Sequence, residues 1–76
     1  MDADRRQWLR ERILSDVERN QSSIKELARI YDEYHAIPRR ETRAVIREML
    51  AEGIIVRVDE VDCWGKKVDW ILKNEE

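Results

Sequence analysis

The amino-acid sequence predicts an α+β domain in which three helices are followed by a two-stranded β-hairpin. Up to about residue 52, apolar residues recur every three or four positions, which is the spacing of amphipathic helices. Beyond residue 54, apolar and polar residues alternate, as they do in strands. Gly53 lies between these two stretches, Pro38 interrupts the first and Gly65 interrupts the second. We expect one domain over residues 1–76.

The composition excludes several classes of function. The chain has 15 basic and 17 acidic residues and a net charge of −2, and no apolar stretch is long enough for a transmembrane helix or a secretory signal. One cysteine and one histidine make neither an internal disulfide nor a zinc site, so we expect no metal, no other cofactor and a reducing, cytoplasmic compartment. Because no nucleophile–base pair or glycine-rich phosphate loop is present, we expect no catalytic activity.

The first two helices are defined by their apolar stripes. The spacing predicts one helix over about residues 4–19 and a second over about residues 23–35. Ser23 and Glu26 have the spacing of a capping box, which marks the start of the second helix. Trp8 lies on the apolar stripe of the first helix, so we expect it in the core.

The third helix and the hairpin follow from the proline and the glycines. Proline suits the first turn of a helix, so a third helix is predicted over residues 38–52, and Gly53 can end it in the left-handed conformation. The alternation beyond it predicts a hairpin over about residues 54–72, with a loop near residues 62–65. We expect Trp70 to point from this hairpin into the core.

The predicted order of elements is that of a winged helix-turn-helix. The connection at Ala36 and Ile37 between the second and third helices is short, and the hairpin comes directly after Gly53. Three helices and a hairpin can pack in other ways, but these two features favour the winged form.

The third helix separates its charges by sign. At about 100° per residue, arginines fall on one flank and glutamates on the other, with an apolar face between them. The arginine ridge consists of Arg39, Arg40, Arg43 and Arg47, and the glutamate ridge consists of Glu41, Glu48 and Glu52. An arginine-bearing helix suits the major groove of DNA, which is about 12 Å wide, and binds guanine or phosphate there. The alternative interpretation is a solvated face stabilised by ion pairs along the helix.

Residues Ile37–Ile55 resemble the recognition helix and following strand of GntR-type winged-helix repressors. That family has an arginine soon after the turn, a second arginine four residues on, and an apolar spine that ends in Glu-Gly-Leu. Arg39, Arg43 and the Glu52-Gly53-Ile54 end match this pattern, and Lys25-Glu26-Leu27-Ala28 looks like the start of the family's second helix. The resemblance implies that Arg39 and Arg43 contact DNA.

A second, weaker resemblance is to the C-terminal winged helix of archaeal replicative helicases. It rests on the junction Leu50-Ala51-Glu52-Gly53-Ile54 and on a longer turn region before Pro38. The resemblance implies a module that acts largely through protein contacts. The acidic hairpin and the net charge of −2 fit such a module.

The predicted hairpin loop combines acidic, aromatic and basic residues. Carboxylates at positions 59, 60 and 62 repel a phosphate backbone, so Lys66 and Lys67 are the phosphate contacts that we expect from the hairpin. Trp64 lies beside these lysines. It either stacks on a base, anchors a partner protein or folds back onto the hairpin.

These observations predict sequence-specific binding of double-stranded DNA by a small transcription regulator that works as a homodimer. The arginine ridge would enter the major groove, and Lys66 and Lys67 would contact phosphates. The alternative is a protein–protein interaction module of replication or transcription machinery that binds through the acidic hairpin and Trp64. A DNA-mimicking or purely structural domain is a third interpretation of the acidic hairpin. No membrane partner is expected.

Overall fold

The protein has an α+β fold made of three helices and a three-stranded antiparallel sheet, as a computed structural model that describes residues 2–75 shows. The predicted α+β class with three helices is therefore confirmed, whereas the sheet has three strands rather than the two predicted. Each predicted helix end lies within one residue of the observed end. The elements in chain order are α1 (Ala3–Arg19), β1 (Ser22–Ser23), α2 (Ile24–His35), α3 (Arg39–Glu52), β2 (Ile55–Val61) and β3 (Lys67–Lys73). The strands are ordered β1-β3-β2 in the sheet.

Local hydrogen bonds explain where the helices begin and end. The Ser23 hydroxyl accepts a hydrogen bond from the backbone N–H of Glu26 at 3.1 Å, which is the predicted cap of α2. Gly53 ends α3 with a φ of 79°, in the left-handed region that glycine tolerates best. Pro38 lies immediately before α3 rather than in its first turn, because its ψ of 136° is extended. Ala36 adopts a φ of 53° and turns the chain sharply between α2 and α3.

The hydrophobic core lies between the three helices and one face of the sheet. Each helix contributes residues at three- and four-residue spacing, as the apolar stripes predict. The core residues are Leu9, Ile13, Val17, Leu27, Tyr31, Ile37, Val45, Ile46, Met49, Ile55 and Ile71. Burial of these side chains fixes α3 against α1 and α2, and leaves the charged flanks of α3 at the surface.

The face of the hairpin that packs against the helices is opposite to the one that the sequence pattern predicted. Ile55 and Ile71 are 1% and 0% exposed, whereas Trp70 is only half-buried on the opposite face. Successive residues of a strand point to opposite sides of the sheet, so a shift of one residue in the predicted alternation moves every side chain to the other face. The expectation that Trp70 lies in the core is therefore wrong. Both strands carry apolar residues on both faces, which makes the alternation ambiguous.

A short strand that the sequence pattern missed joins the hairpin to the helices. Ser22 and Ser23 pair with Ile71 and Trp70 of β3. Two serines have no apolar alternation and no β-branched side chain, so nothing in their sequence indicates a strand. This pairing attaches the hairpin to the connection between α1 and α2.

Trp8 lies at the edge of the core, so its expected burial is wrong. Its ring is 36% exposed and makes edge contacts with Tyr31 and His35, at centroid distances of 6.0 and 4.8 Å. The buried Tyr31 hydroxyl donates a hydrogen bond to the carboxylate of Asp16. Burial, aided by this hydrogen bond, raises the pKa of Tyr31 well above its usual value. The tryptophan thus packs against the last turn of α2 through Tyr31 and His35.

Thr42 places an unsatisfied polar atom inside the core. The residue is 0% exposed, and its hydroxyl oxygen has no hydrogen-bond partner within residues 2–75. A buried hydroxyl without a partner loses its hydration and gains nothing in return.

We expect Thr42→Val to raise the free energy of unfolding by about 1 kcal/mol, because a methyl group replaces the unpaired hydroxyl at similar volume. Chemical denaturation monitored by circular dichroism measures the change. Thr42→Ala is the control, since it removes both groups and leaves a void, and it should lower the free energy of unfolding. A less stable Thr42→Val protein would show that the hydroxyl is hydrogen-bonded in solution.

Candidate nucleic-acid interface

An open cleft lies between α3 and the β2–β3 hairpin, and residues at the start of α2 also line it. Its volume is about 580 Å³. Ile24, Ile46 and Leu50 supply apolar lining. Positive charges outnumber negative ones along the lining, since Asp62 and Asp69 are its only two acidic residues. The basic residues that line this basic cleft are Lys25, Arg43, Arg47, Arg57, Lys66 and Lys67.

Both carboxylates of the basic cleft are engaged within the fold. Asp69 binds Arg57 at 2.8 Å, and this hydrogen bond raises the pKa of the Arg57 guanidinium. An Asp62 oxygen accepts hydrogen bonds from the backbone N–H groups of Trp64 and Lys66, both at 2.9 Å. The remaining five cations of the cleft form no ion pair with any residue in the range 2–75. The cleft therefore presents uncompensated positive charge to solvent.

The structure divides the arginine ridge into two parts. Arg43 and Arg47 are exposed and line the basic cleft. Arg40 is exposed beside the cleft and forms no ion pair with the described part of the chain. Arg39 points elsewhere, because its guanidinium binds the Asp32 carboxylate of α2 at 3.0 Å. Three of the four predicted arginines thus remain available to an anionic ligand.

The glutamate ridge is neutralised by the first helix. All three of its carboxylates bind arginines that project from α1. The pairs are Arg5 with Glu41 (2.9 Å), Arg6 with Glu48, and Arg10 with both Glu48 (2.7 Å) and Glu52 (2.6 Å). The glutamates therefore bind across the helix interface, and within the described residues none of them pairs with the arginine ridge. This arrangement does not support the alternative interpretation of a ridge held by ion pairs along α3.

The loop between β2 and β3 holds Trp64 in solvent. The backbone N–H of Asp62 donates to the carbonyl of Lys66, and that of Gly65 donates to the carbonyl of Asp62, both at 3.0 Å. Gly65 has a φ of 78°, which a residue with a side chain rarely adopts. Trp64 is 88% exposed, so it does not fold back onto the hairpin. Neither Trp64 nor the exposed Cys63 lines the basic cleft.

Lys25 and Arg57 are the cleft residues that the sequence analysis did not single out. Lys25 lies in the first turn of α2, directly after the short strand whose pairing with β3 brings this turn beside the hairpin. Arg57 lies on the strand face that the sequence pattern assigned to solvent, and the reversed facing of the hairpin brings it into the cleft.

Other kinds of site are not seen in the described residues. Across residues 2–75, no group of three or more histidine, cysteine, aspartate or glutamate side chains could hold a metal ion. No helix in the same range is long and apolar enough to cross a membrane.

Comparison with known proteins gives no family assignment. No family model matches the chain, and neither a curated protein nor a solved structure matches it significantly. The function is therefore argued from the geometry and charge of the cleft.

We expect the ion pairs between α1 and α3 to contribute to stability only above acidic pH. Arg10 lowers the pKa of Glu52 below its ordinary value of about 4.3, chiefly through their hydrogen bonds. A carboxylate whose pKa is lower in the folded state stabilises the fold above the unfolded-state pKa. That contribution is lost as the pH falls through the folded-state pKa.

Glu52→Gln should therefore flatten the loss of unfolding free energy between about pH 5 and pH 3, as measured by denaturation at each pH. Glu33→Gln is the matched control, because Glu33 is exposed and forms no ion pair within residues 2–75. Equal slopes for the wild type and Glu52→Gln would show that the Arg10–Glu52 pair contributes nothing in solution.

Proposed function

We propose that this domain is a winged helix-turn-helix that binds double-stranded DNA sequence-specifically and serves as a small transcription regulator. The element order α1-β1-α2-α3-β2-β3 and the sheet order β1-β3-β2 are compatible with that fold. In this proposal α3 lies in the major groove, and the hairpin lies against the neighbouring phosphates.

The observation that carries the proposal is the charge distribution around α3. Five cations that form no ion pair within residues 2–75, drawn from α2, α3 and the hairpin, converge on one cleft, while α1 neutralises the glutamate ridge. Duplex DNA is a rod of phosphates whose major groove, about 12 Å wide, admits a single helix. The chain is acidic overall, but the surface that would meet DNA is basic.

The proposed contacts divide between α3 and the other elements. Arginine donates two parallel hydrogen bonds to guanine, so Arg40, Arg43 and Arg47 on the exposed flank of α3 suit base recognition. Lys66 and Lys67 suit phosphate contacts, because an ammonium group is a compact charge without a preferred plane. Arg39 contributes only if it exchanges the Asp32 carboxylate for a phosphate.

Homodimerisation belongs to the same proposal. One helix of 14 residues reads only a few base pairs, and two copies related by a twofold axis double the length of the recognised site. Sedimentation of the protein with and without DNA tests this part, since it distinguishes a bound monomer from a bound dimer.

The DNA-binding proposal predicts that the Arg43→Ala/Arg47→Ala double variant binds duplex DNA much more weakly than the wild type. Each phosphate contact contributes about 0.9 to the slope of log K against log salt, whereas a contact to a base edge adds little to it. A slope close to that of the wild type therefore assigns both arginines to bases, and a loss of about 1.8 assigns both to phosphates. Fluorescence anisotropy with a labelled duplex over a series of salt concentrations gives both the affinity and the slope.

The single variants Arg43→Ala and Arg47→Ala are compared with Arg19→Ala, which is their matched control because it also removes one positive charge. Arg19 is exposed on α1, which contributes no residue to the basic cleft. The Arg19→Ala variant should retain the wild-type affinity and salt slope, apart from the small change expected from the loss of one charge. Equal losses in Arg19→Ala and in either cleft variant would assign the binding to overall charge rather than to α3.

The exposure of Trp64 favours a second candidate function, a protein–protein interaction module of replication or transcription machinery. An aromatic side chain that is 88% exposed is a typical interface anchor, and Glu60 adds an exposed carboxylate to the same hairpin. This candidate would replace the DNA-binding proposal if the domain bound no duplex DNA even at low salt but bound a partner protein, and if Trp64→Ala abolished that protein binding.

A further inference from the structure

Trp64 is an exposed aromatic ring on a well-ordered turn. The Asp62 carboxylate accepts hydrogen bonds from the backbone N–H groups of Trp64 and Lys66. Backbone hydrogen bonds also join Asp62 to Gly65 and to Lys66. The ring is nevertheless 88% exposed. The loop therefore fixes the backbone at Trp64 and holds the ring in solvent, so that a ligand that binds the ring has only its side-chain torsions to order.

The loop that carries the ring borders the basic cleft, although the ring does not line it. Lys66 and Lys67 follow Trp64 in the chain and line the cleft, whereas the ring itself lies outside it at the turn. The nearest acidic side chain in sequence, Asp62, is occupied by the turn. A strand whose phosphates contact the two lysines would therefore bring its bases next to the indole.

The surroundings of the ring suit a nucleobase better than a protein partner. An anchor in a protein interface is usually ringed by further apolar contacts that exclude water. At this loop the other exposed large apolar residue is Val61, with 63% exposure, and the rest of the tip is polar or charged. Stacking on a base needs one aromatic face and nearby cations, and both are present here.

We propose that Trp64 stacks on an unpaired nucleobase, so that the protein prefers duplex DNA that contains a locally open step. This inference rests on the proposed DNA binding and specifies its substrate class. Bases inside an intact duplex are already stacked on their neighbours, so the indole gains little from them. A mismatch, a bubble or a junction between single- and double-stranded DNA offers a base whose face is free at low cost.

The experiment measures anisotropy of two labelled duplexes of equal length, one fully paired and one with a central mismatched bubble. The wild type should bind the bubble duplex about tenfold more tightly than the paired duplex, and Trp64→Ala should abolish that difference. Trp64→Phe should restore most of it, because a phenyl ring also stacks. Tyr34→Ala is the matched control: Tyr34 is 76% exposed on α2 and lies outside the cleft, so this change should leave the difference intact.

Tryptophan fluorescence distinguishes stacking from a purely structural role of Trp64, because a structural role would not make the emission depend on added DNA. Stacking on a base should quench part of the wild-type emission when the bubble duplex is added, and Trp64→Phe should lack that part of the quenching. Circular dichroism of each variant checks that the fold is retained.

The outcomes separate this inference from the DNA-binding proposal on which it rests. If the wild type binds both duplexes equally, or if Trp64→Ala keeps the preference for the bubble, the stacking role is overturned while DNA binding through Arg43 and Arg47 stands. If the wild type binds neither duplex at low salt, the DNA-binding proposal fails together with this inference, before any variant is compared.

Discussion

The binding of α1 arginines to the glutamate ridge is the interaction on which the character of the surface depends. Arg5, Arg6 and Arg10 face Glu41, Glu48 and Glu52 across the interface between α1 and α3. Isolated surface ion pairs contribute little, but here three carboxylates on one helix share three guanidinium groups on another, and Arg10 joins two of them. The consequence for function is electrostatic. With its acidic flank neutralised, α3 presents a basic flank whose potential a neighbouring acidic row would otherwise cancel.

The basic cleft in turn depends on how the hairpin is held. The pairing of β1 with β3 attaches the hairpin to the α1–α2 connection, and burial of Ile55 and Ile71 directs its inner face toward the helices. That facing places Arg57 and Lys67 on the cleft side of the strands. Arg57 is then balanced by Asp69, so the hairpin adds to the cleft mainly the lysines beside its loop. The short strand and the burial of the two isoleucines together decide which charges of the hairpin meet α3.

How far the sequence predicts this molecule depends on whether the signal is local. The bounds of the helices follow from caps and apolar stripes within each segment. Ser23, for example, marks the start of α2, and Gly53 marks the end of α3. The three-helix α+β fold is predicted for the same reason. The facing of the hairpin is not predicted, because both faces of its strands carry apolar residues and the choice is made by packing of Ile55 and Ile71 against distant helices.

The candidate site shows the same division. The charge pattern of α3 alone predicts an exposed arginine ridge, and Arg40, Arg43 and Arg47 are exposed as expected. It does not predict that Arg39 binds Asp32, since that contact joins two helices through the Ala36 turn. The roles of these residues in DNA binding stay predictions.

A net charge of −2 is a poor guide to what such a surface binds, because the sum ignores where the charges lie on the surface. The acidic residues of α3 are bound to α1, Asp62 is bound to its own turn, and Asp69 is bound to Arg57. Each ion pair adds nothing to the total, because both of its partners are counted, and Asp62 keeps its negative charge although backbone N–H groups bind it. The cations that line the cleft are mostly uncompensated, so a ligand approaching that side meets a potential of the opposite sign to the chain average. Because screening limits such fields to about 8–10 Å near physiological salt, an anion in the cleft responds to this local balance rather than to the total.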